Sequence, residues 1–144
     1  MRLPCGLAIA VLLALPATSP GADDFVVIVN PSVAGVNVRR ADLGAVFLRT
    51  AGRWGSGATA VPIDQSGTSP VRNAFSEAVL EMPVTTAVQY RQKQMFAASP
   101  LRPPAVKGSD AEVIAFVAKT EGAVGYVSKA AVLPAGVKAI AVID

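Results

Sequence analysis

Phe25-Val26-Val27-Ile28-Val29 is an unbroken apolar run in which four of five residues are β-branched, and it is halted by Asn30-Pro31. A strand with one wet face would alternate polar and apolar residues. A continuous run needs cover on both faces, so it predicts a buried strand in a layered fold. The rest of the chain supplies the layers. Arg40 to Leu48 places Leu43, Val46 and Phe47 on one face at helical spacing, after a turn opened by Asn37 or Val38. Ala60-Val61-Pro62-Ile63-Asp64 follows a turn-rich connection as a short strand, its proline marking a sheet edge or a strand end. Pro70 suits the first position of a helix running to Leu80, with Val71, Phe75, Ala78 and Val79 on one side. Val84 to Phe96 reads as another helix, with Val88 and Met95 inward and Arg91 and Lys93 outward.

Ser99 to Pro104 holds three prolines and cannot continue that helix, so the chain becomes extended there. Ser109-Asp110-Ala111-Glu112 has the residue types and spacing of a capping box, and the helix it opens should end at Gly122. Ala123 to Val127 and Val137 to Ile143 read as two further strands. Strands separated by helices indicate an α/β layer structure, with one domain and no internal repeat.

The first 22 residues stand apart. Arg2 precedes the apolar stretch Leu7 to Leu15, which is followed by proline and small residues up to Ala22. This is the pattern of a cleaved secretory signal, and it is shorter than the roughly 20 apolar residues a spanning helix requires. Residues 1–22 are therefore expected to be removed, leaving 23–144 as an exported, periplasmic domain without a membrane anchor. Cys5, the only cysteine, goes with the signal, so disulfide and thiol chemistry go too. Removal of Arg2 leaves twelve Lys and Arg against ten Asp and Glu, a net charge of +2. No basic cluster exceeds Arg39-Arg40 and aromatic residues are few, so the footprint of a nucleic-acid binder is missing.

Catalysis has little to work with. The chain has no histidine, which removes the commonest general base and metal ligand, and its acids show no metal-ligand spacing. A Ser-Lys hydrolase would need a lysine near Ser66, and none is adjacent in sequence. No cofactor is expected. What does stand out is the hydroxyl-rich segment Asp64-Gln65-Ser66-Gly67-Thr68-Ser69-Pro70-Val71-Arg72, between strand and helix. Unpaired amides at a helix start, with Ser and Thr hydroxyls beside them, can hold a tetrahedral anion. The same residues also suit plainer work: Ser66, Thr68 and Ser69 as helix caps, Asp64 as a turn acid bonding the Ser66 amide, and Arg72 as a solvated first-turn residue.

Taken in order, Asp42-Leu43-Gly44-Ala45-Val46-Phe47-Leu48, Arg53-Trp54, Ser66-Gly67-Thr68 with Phe75 after it, and Thr120-Glu121-Gly122-Ala123-Val124-Gly125-Tyr126-Val127 resemble the substrate-binding proteins of phosphate ABC transporters. The resemblance covers nearly all of residues 23–144 and implies one lobe of a two-lobed, type II periplasmic-binding-protein-like fold, a small mixed sheet flanked by helices. It implies a phosphate or similar oxyanion held by Ser66, Gly67 and Thr68, with Asp64 accepting the proton of a partly protonated phosphate. Ser69 and Arg72 complete the candidate ligand set.

Two departures accompany it. The arginine of the family's site falls on Pro62, leaving Arg72 to substitute from another direction, and the length suffices for one lobe only. An ABC permease or another protein would then supply the second lobe, or the ligand is held weakly. The alternative is a periplasmic interaction or assembly domain that keeps the fold and binds no small ligand.

Overall fold

A computed structural model describes residues 24–144. The expected signal segment, residues 1–22, and Cys5 within it lie outside the described residues. The buried apolar run forms β1 (Phe25–Val29), followed by a short β2 (Asn37–Arg39), α1 (Arg40–Phe47) and β3 (Val61–Gln65). Then come α2 (Pro70–Phe75), α3 (Val84–Phe96), β4 (Ala105–Lys107), α4 (Asp110–Lys119), β5 (Ala123–Ser128) and β6 (Lys138–Ile143). The strands make one mixed sheet in the order β2-β6-β1-β5-β3-β4, which is the expected small mixed sheet with helices on its faces. β1 pairs antiparallel with β5 and β6, while β3 runs parallel to both β5 and β4.

The unbroken apolar run is explained by this placement. Successive side chains of β1 point to opposite faces, and each face has its own cover. Val27 and Val29 join Leu43, Phe47, Phe75 and Tyr126 on one side, whereas Ile28 joins Ile63, Val113 and Val117 on the side closed by α4. The predicted capping box is present at the start of α4 in a variant form, its return bond landing one residue before the N-cap Ser109. Ser109 Oγ accepts the Glu112 N–H at 3.3 Å, and Glu112 Oε2 reaches back to the Gly108 N–H at 2.8 Å.

Three features differ from the sequence expectation. β3 is interior rather than an edge, and Pro62 is tolerated because it precedes Ile63, where pairing with β4 begins. The helix expected over 70–80 changes character midway: α2 gives way to a π-helical turn, Ser76–Leu80, whose wider winding buries Leu80 beside Val79 and leaves Ala78 half-buried. In α3 the inward stripe is rotated from the expected one by part of a turn. Val88 and Met95 are exposed, and Ala87 and Arg91 are buried. The guanidinium of Arg91 has partners inside the protein that no apolar side chain could satisfy.

Candidate anion-binding loop

The last three residues of β3 run inward, with Ile63, Asp64 and Gln65 all buried. Ile63 faces α4, so Asp64 faces the opposite layer, where it meets charge. Asp64 Oδ2 accepts from Arg91 Nη1 at 2.7 Å and lies 3.7 Å from Arg72 Nη2. Its other oxygen, Oδ1, accepts the Tyr126 hydroxyl at 2.6 Å. The Tyr126 ring is stacked on Phe75 at a centroid distance of 4.0 Å, which fixes where the hydroxyl points. Burial, and then the Asp64 charge, push the Tyr126 pKa far up, so the phenol keeps its proton and donates it.

Two buried guanidiniums thus share one carboxylate. Arg91 also donates through Nε to the Phe47 carbonyl at 3.1 Å, and Arg72 through Nη1 to the Gln65 carbonyl at 2.8 Å. Among the described residues, the buried Arg91 Nη2 has no acceptor. Arg49 stands near enough to Arg91 that burial, with the Arg91 charge as a second cause, lowers its pKa from the usual arginine value. Positive charge is therefore in excess directly beneath the end of β3.

Above this layer the chain turns outward as Ser66-Gly67-Thr68-Ser69, with Gly67 and Thr68 exposed. The Ser66 N–H is taken by the Lys107 carbonyl at 3.0 Å, which ties the loop to β4. Ser69 is the residue before α2, yet its hydroxyl makes no cap and instead donates to Gln65 Oε1 at 3.2 Å. The Ser66 and Thr68 hydroxyls lie 3.0 Å apart, each facing the other, and Ser66 Oγ also accepts the Thr68 N–H at 3.4 Å. No acceptor among the described residues takes the Gly67 N–H. A Cβ built on Gly67 would meet nothing within 4 Å, so the loop looks onto open space.

The six singled-out residues therefore separate into two groups. Ser66, Gly67, Thr68 and Ser69 form the outward loop, with hydroxyls that do not cap α2. Asp64 and Arg72 lie underneath, 1% and 6% exposed, and face each other rather than solvent. The turn-acid role for Asp64 is not found, because the Ser66 amide bonds Lys107. Nor is Arg72 a solvated residue; its side chain folds back under the loop.

Arg91 and Gln65 escaped the sequence reading. Arg91 sits one turn beyond Ala87, three residues after Val88 and four before Met95, so it lies on the flank of the apolar stripe, where its charge made it read as outward. Gln65 connects the loop to its surroundings: Nε2 donates to Asp110 Oδ1 at 2.7 Å and to the Tyr126 carbonyl at 3.0 Å. Asp110 also accepts from the Ser128 hydroxyl at 2.6 Å. Burial pushes Asp110 upward, but the bonds from Ser128 and Gln65 together outweigh it and hold the carboxyl below its usual range.

The loop lines neither of two clefts, of about 500 and 470 Å³, which lie around Trp54 and Arg53 and involve the β1–β2 connection, α1 and the approach to β3. Among the described residues no three His, Cys, Asp or Glu side chains are grouped to hold a metal ion. No helix there is long and apolar enough to cross a membrane.

No family model matches the chain, and no curated protein sequence matches it. Solved structures do. An ABC-type phosphate transport receptor from Vibrio cholerae superposes with a TM-score of 0.63 at 20% identity, covering 83% of this chain and 46% of that one. A putative phosphate ABC transporter substrate-binding protein with bound phosphate, from Clostridium perfringens, gives 0.64 at 16% identity, over 83% and 45%. PstS from Borrelia burgdorferi gives 0.63 at 18% identity, over 83% and 47%. At such identities the likeness is one of fold, a mixed α/β structure of the periplasmic-binding-protein kind. The chain spans just under half the length of each of these neighbours.

Proposed function

We propose that this chain is an exported, non-catalytic binding module for a tetrahedral oxyanion of the phosphate type, held at the loop Ser66-Gly67-Thr68. The observation that carries the reading is the state of that loop. Its hydroxyls are not spent on capping, its Gly67 N–H is without an acceptor, and it stands over two buried arginines that share one carboxylate. An exposed amide without an acceptor, with hydroxyls beside it that can reorient and positive charge in excess beneath, suits an anion. Two of the fold neighbours are phosphate transport proteins by description and one of those described holds phosphate, which supports the choice of ligand.

Ser66, Gly67 and Thr68 contact the anion in this reading, with Ser69 at the edge of the contact. Arg72 acts from below through its charge, and Asp64 holds the arginines in place. An open loop leaves one face of the ligand in water, so affinity is expected to be modest, with Kd around 1 mM, or about −4 kcal/mol. An ABC permease or another chain covering the loop would raise it.

The test is isothermal titration of the purified protein with phosphate, repeated on Ser66→Ala combined with Thr68→Ala. Hydrogen bonds to a charged group contribute roughly 1.5–3 kcal/mol each, so the double variant should lose at least about tenfold in affinity for each hydroxyl. Because the loop is exposed, its unfolding free energy should stay within about 0.5 kcal/mol of the parent. A second reading, an assembly domain that binds no small ligand, draws on the exposed Met95 and Phe96 at the end of α3, 56% and 90% accessible. Absence of phosphate heat from folded protein would favour it.

A further inference from the structure

Of the 13 residues of α3, only Ala87 and Arg91 are buried. A helix that packs on a core normally offers it an apolar stripe, yet the large apolar side chains of α3 look outward: Val88 is 38% exposed, Met95 56% and Phe96 90%. Little apolar burial therefore holds this helix down. Ala87 joins the core that includes Phe47 and Leu80, and the remaining attachment is Arg91.

Among the described residues, Arg91 makes the only side-chain hydrogen bonds from α3 to the rest of the protein, through Nη1 to Asp64 Oδ2 at 2.7 Å and through Nε to the Phe47 carbonyl at 3.1 Å. That attachment is polar and incomplete. Arg91 Nη2 and, one turn on, Gln94 Oε1 are buried with no partner among the described residues, so docking strips two groups of water and returns no bond to either. Release of Arg91 would not strand the carboxylate. Arg72 Nη2 lies 3.7 Å from Asp64 Oδ2 and the Tyr126 hydroxyl donates to Oδ1, so Asp64 keeps a counter-ion and a donor within the body of the protein.

The chain on either side of α3 is tied down. Ser76 Oγ donates to the Met82 carbonyl at 2.6 Å before it, and Arg49 Nε donates to the Arg102 carbonyl at 2.9 Å after it. At the two ends Glu81 and Ala98, both exposed, have φ of 56° and 59°, left-handed conformations that a residue with a Cβ adopts at a cost.

We infer that α3 is a strap latched by Arg91, which opens as one unit between the ties at Met82 and Arg102 while the sheet stays folded. Opening uncovers Asp64 and Arg72, so this helix sets the access of water to the charge beneath the Ser66–Thr68 loop.

Hydrogen exchange of the ¹⁵N-labelled protein, in guanidinium chloride below its unfolding midpoint, tests this. The amides of Val88 to Met95 should share one opening with a common dependence on denaturant, and should be protected about a hundredfold less than those of Val27 and Val124 in the sheet. Arg91→Lys keeps the charge and gives up the second bond; it should lower protection by about tenfold in both groups, because the bonds of Arg91 are broken in either opening. Exchange of the α3 amides only in step with the sheet would overturn the inference. So would separate fraying of each amide that neither denaturant nor Arg91→Lys changes.

Discussion

Asp64→Ala should cost this protein about 3–5 kcal/mol of folding free energy, the range seen when one partner of a buried ion pair is removed. The carboxylate neutralises Arg91 at 2.7 Å and Arg72 at 3.7 Å, and it accepts the Tyr126 hydroxyl at 2.6 Å. Its loss would leave two buried guanidiniums in mutual repulsion and a buried phenol without an acceptor. Since small domains commonly have only 5–15 kcal/mol in hand, the variant should unfold at markedly lower urea, with an unchanged slope if the unfolded ensemble is unaffected. A midpoint within experimental error of the parent would mean that Asp64 is not the counter-ion described here.

Gly122→Ala should be comparably severe, at about 2–5 kcal/mol. Gly122 has φ +75°, a conformation that costs a residue with a Cβ roughly 1–2 kcal/mol. The added Cβ would also collide with the Thr59 carbonyl oxygen, which is backbone and cannot rotate away; overpacking of that order adds roughly 1–3 kcal/mol. The displacement would spread, because the Gly122 carbonyl accepts both the Val61 N–H and the Trp54 indole N–H. Thermal melting of Gly122→Ala beside Gly67→Ala checks this. Gly67 has open space around it, and its alanine variant should melt close to the parent.

These residues show why some of the fold was legible in the sequence. Gly122-Ala123-Val124-Gly125-Tyr126-Val127 stood out as a motif, and each of its parts has a local cause. Gly122 makes a left-handed turn. Gly125 lies where a Cβ would come within 2.6 Å of Val113 and 2.7 Å of Ile63, so α4 packs directly on the strand. The apolar run 25–29 and the capping box at Ser109 were readable for the same reason: their signals are carried within a few residues.

What was hidden depends on contacts between distant segments. β2 and β4 are three residues each and exist because β6 and β3 offer them an edge. Arg91 pairs with a residue 27 positions earlier, and no periodicity in α3 announces an arginine on the buried face. Asp64 and Arg72 were legible as chemistry, yet a strand residue faces one of two sides and the sequence did not say that this side was closed. The outward loop Ser66–Thr68 was visible by composition alone; that its hydroxyls leave α2 uncapped required the structure.

The central claim is that an anion sits on Gly67 and its neighbouring hydroxyls. The most direct measurement is a phosphate titration of the ¹⁵N-labelled protein, followed through backbone amide resonances. The account predicts saturable shifts largest at Gly67 and Thr68, fading within a few residues and absent around Trp54. Saturable shifts centred elsewhere, or none at the loop at tens of millimolar phosphate, would contradict it.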